Sequence, residues 1–280
     1  MITIDDCTIF AEGLDHPEGI AFHKDGSLWA GGEAGQIYRI EESGQYEEVA
    51  NTGGFILGLA FSKRSEWLAI CDLGKKCIWR MDPITLKLDV FASGAEDHRF
   101  NIPNYAVFDE NDHLYVSESG AFREVNGKII KFSPDGNGVI WYKEPLNFAN
   151  GMALSNDGTF LYVVVSFLPG VVRIPILNNS KAGKAEVYCT LPESVPDGLA
   201  FDAAGNLYVS CYSPNTIYKV TENKEVTVLI SDWEAHTLAN PTNIAFGGTH
   251  FDQIYTANLG RWHITRINAG IAGNPLVSHR

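Results

Sequence analysis

Four oxygen-bearing side chains, Glu18, Asn104, Asn150 and Asp197, hold the same place in four copies of a recurring sequence pattern. Two are carboxylates and two are neutral amides. Brought to one point without a cation, the carboxylates would repel each other and the amides would lack partners. A hard divalent cation removes both difficulties. All-oxygen ligation suits Ca²⁺ first, then Mg²⁺ or Mn²⁺; Zn²⁺ is also possible, although it usually prefers some nitrogen or sulfur. One divalent metal ion is therefore the expected cofactor.

The elements that must bring these residues together follow from an internal repeat. Six segments share a short apolar run, a polar turn and a second apolar or aromatic run, as in Leu57-Gly-Leu-Ala-Phe, Asn150-Gly-Met-Ala-Leu and Asp197-Gly-Leu-Ala-Phe. They open at Glu18, Leu57, Asn104, Asn150, Asp197 and Thr242, with spacings of 39, 47, 46, 47 and 45 residues. A period near 45 with several short strands per unit is the mark of propeller blades. The expected fold is all-β: a six-bladed β-propeller with four antiparallel strands per blade, one domain over residues 1–280. In the first unit the strands are placed at Gly19–His23, Leu28–Glu33, Gln36–Glu41 and about Tyr46–Asn51. The segment Thr3–Ala11 is assigned to the outer strand of the last blade, where it would close the ring and remove exposed edges.

The opening residue of each unit enters the innermost strand at one mouth of the central channel, so the six side chains should converge on the axis. Read alone, Asn150-Gly151 and Asp197-Gly198 would be hairpin turns. The repeat's own turns, however, lie about seven residues further on, at Asp25-Gly26, Asp157-Gly158 and Gly205-Asn206. The Asn and Asp side chains thus occupy a separate position.

Composition limits the partners. The chain has 45% hydrophobic and 20% charged residues, enough apolar material for a sizeable core. Its net charge of −13 disfavours nucleic acid and anionic membrane surfaces. No apolar run approaches the ~20 residues needed to span a bilayer, and the N-terminal residues lack signal-peptide character. Five cysteines without zinc-type spacing read as reduced, mostly buried residues, consistent with a cytoplasmic setting. Trp29 and Trp67 are expected between blades.

The stretches His16-Pro17-Glu18-Gly19, Pro103-Asn104, Ala149-Asn150-Gly151-Met152 and Pro196-Asp197-Gly198-Leu199 resemble the senescence marker protein / gluconolactonase / luciferin-regenerating enzyme family, and the resemblance runs from about residue 10 to residue 268. It implies a propeller hydrolase whose axial metal is held by Glu18, Asn104, Asn150 and Asp197. Sugar-lactone members usually carry Asp after the first Asn, with an Arg shortly before it. Here Tyr105 follows, and the preceding residues are Asn101-Ile102-Pro103, with Arg99 the nearest basic residue. Strictosidine synthase, a relative with the same propeller, condenses amines without the metal; keeping all four ligand types argues against that activity.

The expected reaction is hydrolysis of a lactone, a cyclic ester such as a sugar-acid lactone, with the metal as Lewis acid and a water as nucleophile. Asp197 is the candidate general base and Glu18 the alternative. Other esterase or phosphotriesterase chemistry on the same site, or a non-catalytic binding propeller, are the competing readings. Loops at the same mouth supply the candidate substrate contacts. These are Arg99, Asn101 and Tyr105 around the first Asn, Glu118 and Phe122 in the loop after it, and Tyr212 and Trp262 beyond. The insertion Glu118–Asn126 is assigned as a specificity lid, and His16 is expected to fix the loop before Glu18. The partner is a small-molecule lactone or ester; the oligomeric state is not encoded in these patterns.

Overall fold

A computed structural model describes residues 2–279; residues 1 and 280 of the predicted domain lie outside the described residues. Six four-stranded antiparallel sheets follow one another along the chain. The first contains Ile20–Phe22, Leu28–Gly31, Gln36–Ile40 and Tyr46–Asn51. Its strands match the predicted ones, except that three are trimmed by a few residues that enter turns. At one of these turns the Ser27 N–H and hydroxyl both donate to Asp25 Oδ1, at 2.9 and 2.6 Å.

The sheets are buried on both faces because each is sandwiched between two others. Strand interiors therefore read as continuous apolar runs, such as Leu161-Tyr162-Val163-Val164-Val165. Six hydrophobic clusters result, one for each blade-to-blade junction. Trp29 sits between blades one and two, where its ring meets Phe61 edge-on at 5.7 Å. Trp67 meets Phe108 across the next junction at 5.0 Å. Fourth strands face outward and are largely exposed, as in Tyr46–Asn51 and Val226–Ser231.

The last sheet is composite. Pro241–Gly247, Gln253–Asn258 and His263–Ile267 are completed by Cys7–Glu12, which pairs antiparallel with His263–Ile267. This is the predicted ring closure. All five cysteines are free, and four of them are buried.

After the last strand, the chain turns beneath the ring at the mouth opposite Glu18, a course that no repeat pattern foretold. Ala203 N–H donates to Ala272 O at 2.8 Å, and Asn274 N–H to Phe201 O at 3.0 Å. Residues Asn274 to Ser278 then line a cavity of about 650 Å³ together with the lower halves of the inner strands. Among the described residues, no helix is long and apolar enough to cross a membrane.

Candidate functional site

In five of the six units the opening residue stands at a local defect in the sheet. In blades two to six, pairing between first and second strands slips at this residue: between Ile56 and Leu59, Pro103 and Tyr105, Ala149 and Met152, Pro196 and Leu199, and Pro241 and Ile244. A bulge takes a residue out of strict alternation and re-aims its side chain. In blade one, Glu18 lies just before the strand and donates its N–H to Gly31 O at 3.3 Å.

The glycine after the opening residue serves the same ring. A Cβ on Gly151 would stand 2.1 Å from the Asp197 carbonyl oxygen, and one on Gly19 would stand 1.8 Å from that of Leu57. The backbone of the next blade passes through that space. Asn150-Gly151 and Asp197-Gly198 are therefore inter-blade contacts within inner strands, and the hairpin reading of these pairs does not apply.

All four predicted ligands are buried. Asn104 Oδ1, Asn150 Oδ1 and Asp197 Oδ1 have no hydrogen-bond partner. Asn150 Nδ2 donates to Asp197 Oδ2 at 3.2 Å, which ties blades four and five together at the axis. Thr242 donates its hydroxyl to the Glu18 carbonyl at 2.8 Å, joining blade six to blade one. Burial pushes the Asp197 carboxyl up to about 7, against a hydrogen bond from Asn150 that lowers it. The Glu18 carboxyl is also raised well above its usual range, first by burial and then by the charges of Asp197 and Glu33. Two buried carboxyls that resist ionisation, beside three orphaned oxygens, form a set that a hard cation would satisfy.

A layer of serines sets the amides. Ser119 Oγ accepts from Asn104 Nδ2 at 3.0 Å and donates to Ala149 O at 2.7 Å. Ser166 Oγ accepts from Asn150 Nδ2 at 3.3 Å and donates to Pro196 O at 2.8 Å. Each serine holds an amide nitrogen, leaving the amide oxygen free for the axis, and also anchors the chain just before the next ligand. Ser210 repeats the backbone anchor in blade five by donating to Thr242 O. Sequence reasoning missed Ser119 and Ser166, although Tyr115-Val116-Ser117-Glu118-Ser119 and Tyr162-Val163-Val164-Val165-Ser166 place a serine at the same distance beyond a shared Tyr-Val pair, just past the second strands Leu114–Glu118 and Phe160–Val165. Ser166→Ala is expected to weaken divalent-cation binding by about 10- to 100-fold, as loss of a partner behind a ligand usually does. Calorimetric titration with Ca²⁺ checks this; unchanged affinity would remove Ser166 from the site.

The predicted substrate contacts divide. Phe122 stands 64% exposed at the mouth. Trp262 is exposed and lies 5.4 Å from the His16 ring, and Tyr212 is also exposed. Asn101 is held at the same mouth, its carboxamide accepting from Lys76 at 3.1 Å and donating to Gly120 O at 2.8 Å. Glu118 is placed differently: it is wholly buried, and its carboxylate accepts from the N–H groups of Asn101, Ile102 and Gly120 at 2.9 to 3.1 Å. It staples two loops together and faces no open space. Tyr105 is buried one residue below Asn104 and lines the lower channel. Arg99 is exposed on a small hairpin, where it pairs with Gly94. His16 contacts Asp15 and Glu33 at 3.3 and 3.2 Å, which fixes the loop before Glu18 as expected.

Residues 16–258 match a family model described as the SMP-30/Gluconolactonase/LRE-like region. Among curated proteins, the strictosidine synthase-like 6 protein of Arabidopsis thaliana is 25% identical over 232 residues, covering 74% of this chain and 60% of that protein. The gluconolactonase of Zymomonas mobilis is 28% identical over 194 residues, covering 62% and 53%. The chain thus spans between half and two thirds of the length of these relatives. Among solved structures, a gluconolactonase from Xanthomonas campestris superposes with a TM-score of 0.80 at 16% identity, over 95% of this chain and 89% of that one. The calcium-binding protein regucalcin from Agrobacterium tumefaciens gives 0.79 at 17% identity over 96% of each. At such identities these structures speak to the fold.

Proposed function

The chain belongs to the SMP-30/gluconolactonase/LRE-like family, and from that premise we propose that it is a divalent-cation-dependent hydrolase that opens lactones with water. The observation that carries this reading is the set of three buried, partnerless oxygens on Asn104, Asn150 and Asp197 beside the Glu18 carboxyl. A cation held there would polarise the ester carbonyl as a Lewis acid.

The chain's own residues supply the rest. Asp197 has two distinguishable oxygens, because Oδ2 accepts the Asn150 amide while Oδ1 has no partner. Its carboxylate takes the proton of a water that attacks the carbonyl carbon. The same proton then passes to the alkoxide released when the ring C–O bond breaks, so the product is the open hydroxy acid. Ser119 and Ser166 hold the two amides in position throughout.

The deciding experiment is hydrolysis of sugar, aliphatic and aromatic lactones by cation-stripped protein, with Ca²⁺, Mg²⁺, Mn²⁺ or Zn²⁺ returned separately. Restored turnover is the expected outcome. Turnover of aryl esters or phosphotriesters alone would move the substrate class while keeping the site. Failure to bind any cation would overturn the proposal.

Stability gives an independent readout. In cation-free protein the folded Asp197 carboxyl binds its proton up to about pH 7, whereas its ordinary value is 3.8. The folded state therefore holds more protons than the unfolded state in that interval, and stability falls as pH rises through it. Melting temperature of stripped protein should drop by several degrees between about pH 5 and pH 7. Saturating Ca²⁺ should flatten the decline, and a decline unaffected by any of the four cations would count against the ring as their site.

A further inference from the structure

Three phenylalanines form a contiguous wall at the channel mouth. Phe122 meets Phe167 edge-on at 5.1 Å and Phe148 at 5.9 Å, while Phe148 and Phe167 lie 4.9 Å apart. Leu168 extends the patch and is 63% exposed, much like Phe122 at 64%. Three rings in mutual contact with Leu168 beside them make a contiguous apolar surface, partly left in water, and such a surface calls for an apolar partner.

The wall is built on the residues that hold the axial ring. Phe122 lies three residues beyond Ser119, which binds the Asn104 amide. Phe167 directly follows Ser166, which binds the Asn150 amide. The Phe148 carbonyl accepts the Ser166 N–H at 3.2 Å, and Phe148 itself precedes Asn150 by two residues. Phe148 also has a backbone φ of +57°, a conformation that glycine or asparagine takes more readily. A bulky ring kept at a strained position beside the ligands is a ring whose placement matters. On the outer side, the Arg123 guanidinium caps the Phe122 face at 5.4 Å.

From this arrangement we infer that the Phe122, Phe148, Phe167 and Leu168 wall is the subsite for the substituent of the substrate, and that the substrate is an ester or lactone bearing an apolar alkyl or aryl group. The inference rests on the reading of the axial ring as a hydrolytic site. Polyhydroxylated rings gain less from this wall than an alkyl or aryl group, since phenyl faces offer their hydroxyls no hydrogen-bond partner.

The test uses Ca²⁺-loaded protein and two matched probe pairs: δ-valerolactone with its pentyl-substituted analogue, and the corresponding non-hydrolysable lactams. The pentyl lactone should be favoured by at least about tenfold in kcat/KM, and the pentyl lactam by about tenfold in Kd, the effect of burying two or three methylene groups. In Phe122→Ser/Phe167→Ser protein both ratios should fall to within about threefold of unity. Phe122→Ser alone, which alters only an exposed side chain, should give an intermediate ratio and a normal melting curve. Ratios near one in the unaltered protein, or ratios unchanged in the variants, would overturn the inference. Lactam selectivity that depends on the wall, without opening of any lactone, would uphold the subsite and overturn the hydrolase reading alone. Absence of both binding and turnover would overturn both.

Discussion

Asp197→Ala protein is expected to lose lactone hydrolysis by at least about a thousandfold while melting no lower than the parent in the absence of cations. The two halves of this result have one cause. Asp197 is buried with a carboxyl raised to about 7, and its charge helps to raise Glu18. In cation-free protein its removal relieves a costly burial, so lost activity cannot be laid to unfolding. Two milder variants then separate the roles of the carboxylates. Asp197→Asn keeps an oxygen to accept the Asn150 amide but cannot take a proton, so turnover should fall far more than Ca²⁺ affinity. Glu18→Gln should lose affinity and turnover together. The opposite pattern would make Glu18 the base and Asp197 mainly a ligand.

Gly19→Ala is expected to be the most damaging single substitution for folding. The added methyl would stand 1.8 Å from the Leu57 carbonyl oxygen and 2.5 Å from a Leu59 methyl carbon. The first of these is backbone, so the clash cannot be relieved by a rotamer change; blades one and two would have to part at the axis. A loss of about 3–5 kcal/mol, or failure to accumulate folded protein, is in proportion to such overpacking. Gly26→Ala is the contrast. Gly26 lies in a hairpin with φ of +92° and open space around it, so it should cost about 1 kcal/mol from backbone conformation alone. Comparable melting temperatures for the two variants would contradict the tight axial packing.

The repeat made the ring legible because spacing alone fixes where each innermost strand begins. Glu18, Asn104, Asn150 and Asp197 could be singled out with no knowledge of any loop, and the structure buries all four at equivalent places. Glu118 was harder. Its position in the chain puts it at the mouth, but only the fold shows that three backbone N–H groups already occupy its oxygens. Tyr105 was misleading for a related reason. Adjacency to Asn104 suggested a place beside the substrate, whereas the bulge at Asn104 sends Tyr105 to the channel below. Periodicity tells which end of a blade a residue occupies; the direction of a loop side chain depends on hydrogen bonds that no period records.

The composite sixth sheet carries a consequence for the order of synthesis. Its outer strand, Cys7–Glu12, leaves the ribosome before the other strands of the propeller, yet its partner, His263–Ile267, is the last of them to be made. Blades one to five can each complete their pairings from contiguous sequence as they emerge. Cys7–Glu12 must wait, with its edge unpaired, while some 250 residues are translated. At about 5–20 residues per second, that delay is on the order of 10–50 seconds. An early strand left open for so long is a natural client for chaperones and a natural point of exchange between nascent copies, so the closure that protects the finished ring is also the step at which its assembly is most exposed.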